Sequence, residues 1–243
     1  MARRNKLWRF AQLQTYPNYR EAAADGPAGG PEVIGADGAP RDLRGRWGAE
    51  HFGRADAPLT LELACGRGEY TVALAGAYPE RNVLGVDVKG ARIYHGATAL
   101  RDAGLANGGF LRTRIERLAD FFAVGEVDEV WITFPDPFPR SVNRRLTSPR
   151  FWTGYARLVR PGGRVHLKTD DDGLYAYSRQ QAPPHFRCAA DVDDVYAAAP
   201  LPHPDLAHRT TYEGKHLAAG LTIKWLSYER DASPAPEPWR VPG

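Results

Sequence analysis

The middle of the chain alternates short apolar runs with segments that have a helical pattern. The apolar runs predict strands at 59–64, 82–88, 108–113, 128–134 and 162–169. Helical patterns follow most of them, at 69–78, 90–104, 148–159 and 171–181. Strands that alternate with helices form a mostly parallel sheet with helices on both faces. The sequence therefore predicts an α/β, doubly wound fold, in which ligands bind at the carboxyl ends of the strands.

The segments on either side of this region differ from it in composition. The chain has 243 residues, enough for one large domain or one domain with an appendage. Residues 21–58 are rich in Gly, Ala, Pro and Asp and predict a loop or linker, while 4–20 carry a weak helical stripe. We therefore expect an N-terminal extension and linker at 1–58, a folded domain at 59–230 and an extended, Pro-rich tail at 231–243.

The composition argues against several classes of protein. No apolar run approaches the roughly 20 residues that span a bilayer, so no membrane partner is expected. The N-terminus lacks the apolar core of a secretory signal. Cys65 and Cys188 fit neither a metal spacing nor a disulfide framework, and the histidines show no ligand spacing. We expect a cytoplasmic protein without a metal; the oligomeric state is left open, with a monomer slightly favoured.

Positive charge is concentrated in two parts of the chain, although the net charge is only +3. One basic block precedes the first acid, Glu21. The other lies between 138 and 169, which contain no Asp or Glu. Its basic residues are Arg140, Arg144, Arg145, Arg150, Arg157, Arg160, Arg164 and Lys168. Runs of one sign attract polyanions such as nucleic acids, but they are also compatible with a solvated helix face.

The strongest local signal is the glycine turn in LELACGRGEYT. A strand ends at Glu62, and Gly66 and Gly68 then form a turn that leads into a helix. The nicotinamide fingerprint G-x-G-x-x-G is incomplete, because Thr71 stands at its third glycine position. An acid at the strand end can meet the ammonium of S-adenosylmethionine (AdoMet), a group that no dinucleotide offers. The turn therefore favours AdoMet, with a purely structural turn as the alternative.

A second acid supports the same interpretation. Asp87 ends the next predicted strand, LGVDV, nineteen residues beyond Gly68. This is the spacing of an acid that accepts hydrogen bonds from ribose hydroxyls. Two carboxylates at neighbouring strand ends, with a glycine turn between them, predict an AdoMet site.

The segment FPDPFPR places Asp136 between two prolines, just past a predicted central strand. Proline fixes φ and disfavours helix in the residue before it, so this acid is held on a stiff loop. The carboxyl end of a central strand is where such folds carry out chemistry. An ordinary turn acid is the alternative for any isolated Asp-Pro pair.

Taken together, these motifs resemble the bacterial tRNA (guanine-N7-)-methyltransferase family. The resemblance covers about 5–230 and rests on the turn LELACGRGEY, the FPDP loop with its basic follower, the strand GGRVHLKTD and the late RTTYEGKHLAAGLTIKWL. It implies a seven-stranded Rossmann-like methyltransferase sheet, AdoMet as methyl donor, and tRNA as the partner, with a guanine of the variable loop as the methylated base.

The resemblance also assigns residues to roles. Glu62, Gly66, Gly68, Asp87 and Asp136 match positions that bind AdoMet, and Asp136 also matches the catalytic acid. The family often has an Asp after the third strand, near the adenine, where this chain has Arg114 or Thr113, depending on the alignment. The positions that match substrate-binding residues of the family are Arg140, which replaces the usual Lys, Asp170, Thr210, Tyr212 and Glu213.

The chemistry requires little beyond positioning. Guanine N7 has a free lone pair at neutral pH, so no strong base is needed before it attacks the sulfonium methyl. Rate enhancement should come from alignment and from a fixed carboxylate beside a ring that becomes cationic, a role that we assign to Asp136. Asp170 has a competing structural role as a helix N-cap.

The arginine run from 140 to 164 is the predicted RNA track. Arg140, Arg144 and Arg145 directly follow the Asp136 loop and should contact phosphates, whereas Arg157, Arg160 and Arg164 are not all assigned to it. Trp152 and Tyr155 lie in the same run, and we predict that they pack in the core rather than stack on bases.

Other functions stay open on the sequence alone. One is an AdoMet-dependent methyltransferase that acts on another RNA base or on a small molecule. Another is an RNA-binding protein of the same fold without activity. An NAD oxidoreductase is disfavoured by the incomplete glycine pattern.

Overall fold

A ten-stranded sheet forms the centre of the computed structural model, which describes residues 2–23, 30–181 and 183–237. The strands in the described part are β1 (Tyr19–Ala22), β2 (Glu32–Ile34), β3 (Pro40–Asp42), β4 (Leu59–Leu63), β5 (Asn82–Asp87), β6 (Gly108–Arg112), β7 (Val127–Thr133), β8 (Val159–Thr169), β9 (Phe186–Val192) and β10 (Lys224–Arg230). The strand order across the sheet is β3-β2-β1-β6-β5-β4-β7-β8-β10-β9.

Helices cover both faces of the sheet. They are α1 (Ala2–Leu13), α2 (Glu69–Ala77), α3 (Gly90–Asp102), α4 (Leu118–Phe121), α5 (Pro149–Leu158), α6 (Asp172–Arg179) and α7 (Thr211–Ala218). Short 3-10 helices at Ile115–Arg117, Val142–Arg144 and Pro204–Ala207 and a π-helix at Trp47–His51 complete the elements of the described residues.

The doubly wound prediction is confirmed. The five predicted strands are β4 to β8, and the order β6-β5-β4-β7-β8 is parallel at every step. The chain moves from β4 to one side through β5 and β6, and then returns to the other side of β4 with β7. This reversal opens a crevice between the loops that follow β4 and β7, the place where such sheets bind ligands.

The predicted number of seven strands is wrong, because the N-terminal region adds three. Strands β4 to β10 form a seven-stranded unit, in which β10 is antiparallel to both of its neighbours, β8 and β9. β1 pairs in parallel with β6, and β2 and β3 continue the sheet as antiparallel strands. The loop predicted over 21–58 is therefore partly strand. Runs of three or four residues are too short to show a period-two pattern.

The proposed division at 58 and 231 stays a prediction, and part of the evidence for it lies outside the described residues. Residues 24–29 belong to the Gly- and Ala-rich segment, and 238–243 belong to the Pro-rich tail. No helix within 2–23, 30–181 or 183–237 is both long and apolar enough to cross a bilayer.

The core lies on both faces of the sheet, as alternation along the strands requires. On β7, Val130 and Ile132 pack into one buried cluster and Trp131 packs into the other. Trp152 and Tyr155 of α5 are each 1% exposed in the first cluster. Their predicted role in packing, rather than in stacking on bases, is confirmed.

The two glycines of the turn after β4 serve different purposes, which a pair of variants separates. Both have positive φ, +58° at Gly66 and +71° at Gly68. A methyl group at Gly68 would overlap the ring of buried Phe110, whereas one at Gly66 would meet only Ala64 O, at 4.0 Å. We expect Gly68→Ala to lower the free energy of unfolding by roughly 2–5 kcal/mol, from backbone strain and overpacking together.

Gly66→Ala is the matched control, since it carries the backbone strain alone. It should lower the free energy of unfolding by about 1–2 kcal/mol. Urea denaturation of both variants measures the difference, and equal losses would show that Phe110 yields to the added methyl.

Candidate active site

A cavity of about 390 Å³ lies at the carboxyl ends of β4 and β7, where the chain reverses. Its volume falls in the range of small-molecule sites. Four of the residues predicted from sequence line it: Glu62, Gly66, Thr210 and Tyr212. The turn after β4, the beginning of α2 and the end of β7 supply most of the remaining wall.

Glu62 joins three elements around this cavity. Its side chain is 2% exposed. One oxygen, Oε2, accepts from the backbone N–H of Thr71 at 2.8 Å and from the Thr71 hydroxyl at 2.5 Å, and Oε1 accepts from the Thr133 hydroxyl at 2.7 Å. Burial raises the pKa of Glu62 to about 7, although these hydrogen bonds favour the charged form. The carboxylate is therefore poised to gain a cationic partner in the cavity.

Asp87 lies beside the glycine turn, as the sequence predicts. Its Oδ2 accepts from Gly66 N at 2.9 Å and its Oδ1 from Lys89 N at 2.8 Å. The side chain is 7% exposed and each oxygen keeps a second lone pair. A ribose hydroxyl placed against this edge would find an oriented acceptor. Gly68 instead faces Phe110, so its role in this structure is packing.

The end of β6 distinguishes between the two candidates for the adenine position. Neither residue lines the cavity, and Arg114 is exposed. Thr113 is 1% exposed, its backbone N–H donates to Asp87 O at 3.2 Å, and its buried hydroxyl has no hydrogen-bond partner within the described residues. A buried hydroxyl without a partner beside Asp87 fits the predicted nucleoside at this place. The geometry therefore favours Thr113 over Arg114 at this position.

The loop that carries Asp136 is held from behind. Asp136 itself is exposed. Phe134 and Phe138 flank it with positive φ of 46° and 41°. Arg145 is 7% exposed, donates from Nε to Pro137 O at 2.8 Å, and lies over the Tyr177 ring at 4.5 Å. Arg145 thus fixes the loop and is not available to a phosphate, contrary to its predicted place in the arginine track.

Tyr212 lies near the predicted site acids Asp136 and Asp170. Its ring is 49% exposed and stacks on His216, with centroids 4.0 Å apart. Burial, followed by the charges of Asp170, Asp171 and Asp136, raises the pKa of the Tyr212 phenol. The ring of Phe134, two residues before Asp136, packs against Tyr212 with centroids 5.4 Å apart. Asp170 contacts His216, which stacks on Tyr212, so both segments reach the surface around Tyr212.

Asp170 is not the helix cap that the sequence analysis considered. Asp171 is the N-cap of α6, because its Oδ1 accepts from Leu174 N at 2.6 Å. Asp170 Oδ2 instead lies 2.7 Å from Nδ1 of His216, at ion-pair distance but without the direction of a hydrogen bond. Asp170 is therefore paired with His216 and does not cap α6.

Glu213, predicted to bind substrate, is completely buried. It pairs with Lys168 of β8, which is also 0% exposed, at 2.8 Å, and it accepts from the Tyr196 hydroxyl at 2.5 Å. Lys168 also donates to the carbonyls of Leu206 and His208. Burial lowers the pKa of Lys168, and Glu213 opposes that shift. In this structure Glu213 holds α7 in place, and direct contact with a base stays a prediction.

The Lys168–Glu213 pair and an N-cap together fix the position of α7. Thr210 is the N-cap of α7, and its hydroxyl accepts from Glu213 N at 3.1 Å. Lys168 and Tyr196 also support the site, and neither was predicted from the sequence to do so. A lysine inside an apolar strand was the available signal, since a buried lysine requires a partner.

The arginine run divides between the two ends of the sheet. Arg140 and Arg144 are exposed directly after the Asp136 loop. Arg160 and Arg164 lie at the other end and pair with Asp128 and Glu229. Arg157 donates to Pro236 O at 3.0 Å. Within this run, Arg140 and Arg144 are therefore the exposed arginines that directly follow the Asp136 loop.

Part of the N-terminal basic block lies on the other side of the cavity. Arg9 of α1 and Arg67 of the glycine turn approach the two ring nitrogens of His95, at 3.4 and 3.5 Å. Arg92 lines the cavity itself. Burial and the two arginines lower the pKa of His95, which keeps it neutral and leaves positive charge on the arginines. Cationic side chains thus approach the cavity from two directions.

The pKa of Glu62 predicts how stability depends on pH. Below its ordinary pKa of 4.5 the group is protonated in folded and unfolded chains alike. Between 4.5 and about 7 the folded protein keeps a proton that the unfolded chain has released. The free energy of unfolding therefore falls as pH rises through this window, by on the order of 3 kcal/mol, and levels off above it.

Glu62→Gln removes this titration and keeps the acceptor for Thr71, so the difference between wild type and variant isolates Glu62. Denaturant unfolding from pH 4 to 8 measures it. Parallel profiles for the two proteins would contradict the raised pKa.

The buried pair predicts a second result. Glu213→Gln leaves Lys168 without an anion in the interior and should cost roughly 3–5 kcal/mol of unfolding free energy. Removing both charges in Lys168→Met/Glu213→Leu should restore most of that loss. Chemical denaturation of both variants is the measurement, and a loss below about 1 kcal/mol in Glu213→Gln would show that the pair does not hold α7.

Comparisons with known proteins agree with this geometry. Residues 56–226 match a family model described as "Putative methyltransferase". The tRNA (guanine-N(7)-)-methyltransferase of Porphyromonas gingivalis is 46% identical over 187 residues, which are 76% of each chain. The enzyme of the same name from Bacteroides thetaiotaomicron is 39% identical over 93% of this chain and 85% of its own.

A solved structure shares the fold at low identity. The 30S ribosomal A1408 methyltransferase from an uncultured bacterium superposes with a TM-score of 0.56 at 12% identity, over 79% of this chain and 96% of its own. The cavity at the strand reversal, the paired acids and these matches agree, and the chain belongs to the tRNA (guanine-N7-)-methyltransferase family.

Proposed function

We propose that this protein transfers the methyl group of AdoMet to N7 of a guanine in tRNA, with the variable loop as the location of that guanine. The observation that carries the proposal is the cavity at the ends of β4 and β7, which Glu62 and Gly66 line, with exposed Asp136 two residues beyond Phe134 of its wall. Relatives of 46% and 39% identity are tRNA (guanine-N(7)-)-methyltransferases.

Residues in the cavity wall and directly behind it fit AdoMet. Buried Glu62 offers a carboxylate for the ammonium, Asp87 an oriented acceptor for the ribose, and Thr113 a free hydroxyl beside it. Gly66 leaves open space where a side chain would project. AdoMet supplies a methyl group on a positively charged sulfur, and the chain's own part is to hold and align it.

Asp136 acts on the guanine and not on a proton. N7 donates its lone pair to the methyl carbon as the carbon–sulfur bond breaks, so the sulfur becomes neutral and the purine ring becomes cationic. A carboxylate beside the ring stabilises that charge as it develops. The flanking prolines and the bond from Arg145 to Pro137 O keep Asp136 in position before the base arrives.

The base is positioned by the surface around Tyr212. The half-exposed ring of Tyr212 offers a stacking face, and Asp170 offers acceptor oxygens next to it. The N1–H and amino group of guanine are both donors, whereas adenine lacks that pair. Acceptors at this place therefore favour guanine.

Transfer of a labelled methyl group tests the proposed function. The purified full chain is incubated with unmodified tRNA transcript and AdoMet labelled at the methyl carbon, and the product is digested and mapped. We expect label in 7-methylguanine at one position of the variable loop. Label on another base, on a small molecule or nowhere would overturn the proposal, and tRNA binding without transfer would identify a binding protein instead.

The charged residues near the cavity predict the salt dependence of tRNA binding. Arg140→Ala/Arg144→Ala removes two exposed cations beside the active loop, so we expect weaker binding and a slope of log affinity against log salt that is smaller by about 1 to 2. Arg160→Ala/Arg164→Ala removes two cations from the same run at the opposite end of the sheet and should leave the slope unchanged. Filter binding at several salt concentrations measures both, and equal slopes for the two double variants would contradict the division of the run.

A further inference from the structure

A second group of ionisable side chains lies at the end of the sheet opposite the cavity. Glu129 is near the start of β7 and His166 is on the neighbouring β8. In the register of this pair, Glu129 is opposite Arg164 and Trp131 is opposite His166, so Glu129 and His166 share one face of the sheet. His203 precedes the 3-10 helix Pro204–Ala207, which packs over that face.

The three side chains point their ligand atoms at one another. His166 Nε2 is 2.8 Å from Glu129 Oε1, and His203 Nε2 is 3.8 Å from the same oxygen. All three ligand atoms lie within 4.8 Å of one another. Ligand atoms about 2.0–2.2 Å from a tetrahedral ion are about 3.3–3.6 Å apart, so the separations of 2.8 and 3.8 Å need only small shifts to accept one.

The ring of His166 is fixed by its neighbours. His166 is 0% exposed and is stacked between Trp131, at 4.1 Å, and Trp225, at 5.7 Å. Both ring pairs are within 20° of parallel. Glu129 and His203 keep 16% and 15% exposure, so the group is open to solvent on one side. An ion could enter there without opening the core.

Buried polar atoms without hydrogen-bond partners surround the same group. Within the described residues they include His166 Nδ1, Asp205 Oδ1 and Ser227 Oγ. Ser227 is the cross-strand neighbour of His166 on β10, and Asp205 Oδ1 lies 4.0 Å from His203 Nδ1. A histidine that binds a metal through Nε2 carries its proton on Nδ1, and an acceptor beyond it is the usual outer partner. In this structure His203 Nδ1 accepts from Asp205 N at 3.3 Å, so metal binding through Nε2 requires that this hydrogen bond be exchanged for one from Nδ1–H to Asp205 Oδ1, 4.0 Å away. Ser227 Oγ is the neighbouring acceptor on the side of His166.

The guanidinium of Arg81 contacts Glu129 and Asp205 through the carboxylate oxygens that face away from the two histidines. Its Nη1 lies 3.5 Å from Glu129 Oε2 and 3.0 Å from Asp205 Oδ2. The oxygens that face the histidines are Glu129 Oε1 and Asp205 Oδ1. Arg81 therefore orients both carboxylates without taking the ligand position.

We propose that Glu129, His166 and His203 bind one divalent transition-metal ion of the Zn²⁺ type. Two imidazoles and one carboxylate form a donor set that suits zinc, with the fourth position left to water. The ion fastens the segment from His203 to the two strands. Leu206 and His208 of that segment supply the carbonyls that accept from Lys168, so the ion stabilises the support of the active site without joining the methyl transfer.

The sequence gives no spacing that would reveal this site. The histidines are on different elements, and the carboxylate is on a third. Only the register of β7 and β8 and the return of the chain at His203 bring them together. The alternative is a hydrogen-bonded group of Glu129 and His166 that holds no ion.

Zinc titration of the full chain separates these accounts. The protein is first stripped with a chelator, and ZnCl₂ is then titrated in competition with a chromophoric chelator. His203→Asn removes the Nε2 ligand, while its side-chain oxygen can replace the ring nitrogen that accepts from Asp205 N at 3.3 Å. His185→Asn is the matched control, because His185 lies outside the group and its positive φ of 67° suits Asn.

We expect wild type and His185→Asn to bind one zinc per chain, and His203→Asn to bind at least about 100-fold more weakly. With zinc at 100-fold excess over Kd, the melting temperature should rise by about 5–10 °C in the first two proteins and not in His203→Asn. Glu129→Gln should repeat the loss and serves if His203→Asn fails to fold. Absence of binding in wild type, or equal binding by wild type and both ligand variants, would overturn the proposal.

Discussion

The carboxylate of Glu62 is the point at which the elements around the crevice are joined. It ends β4, accepts two hydrogen bonds from Thr71 at the start of α2, and accepts a third from Thr133 at the end of β7. The strands that part at the reversal are thus held at a fixed distance by a group in the wall of the cavity. Because the carboxylate is buried, its charge is costly until a cation arrives, which couples the packing of the sheet to the binding of a positively charged ligand.

Two other parts of the site, the loop after β7 and the helix α7, are fixed by different means. The β7 loop is stiffened by proline and by a buried arginine that bonds to its backbone. The α7 segment is fixed through Glu213, which reaches Lys168 of β8 inside the protein. Asp136 and Tyr212 are exposed, but the residue that follows each of them is fixed by a buried partner. Pro137 O accepts from Arg145, and Glu213 pairs with Lys168. A reaction that depends on alignment needs this arrangement, because freedom of either group would lengthen the search for the productive geometry.

The parts of the structure that follow from short-range pattern were predictable. Strands β4 to β8, the glycine turn with its two acids and the position of Asp136 all derive from local signals of five to ten residues. What escaped prediction depends on contacts between distant segments. Strands β1 to β3 are too short to show a pattern, and Glu213 has the same sequence motif whether it faces solvent or Lys168. Arg144 and Arg145 are indistinguishable in sequence, but the chain direction at this point leaves Arg144 exposed and turns Arg145 inward to Pro137 O.

The role of Asp136 is tested most directly by separating methyl transfer from AdoMet binding. Asp136→Asn keeps the shape and removes the charge, and Asp56→Asn changes an exposed acid outside the site. Single-turnover rates with tRNA and calorimetric Kd values for AdoMet are measured for both. The account predicts that Asp136→Asn lowers the rate by roughly 100-fold or more while the Kd stays within about threefold of wild type, and that Asp56→Asn changes neither. A normal rate in Asp136→Asn, or a loss of AdoMet affinity as large as the loss of rate, would contradict it.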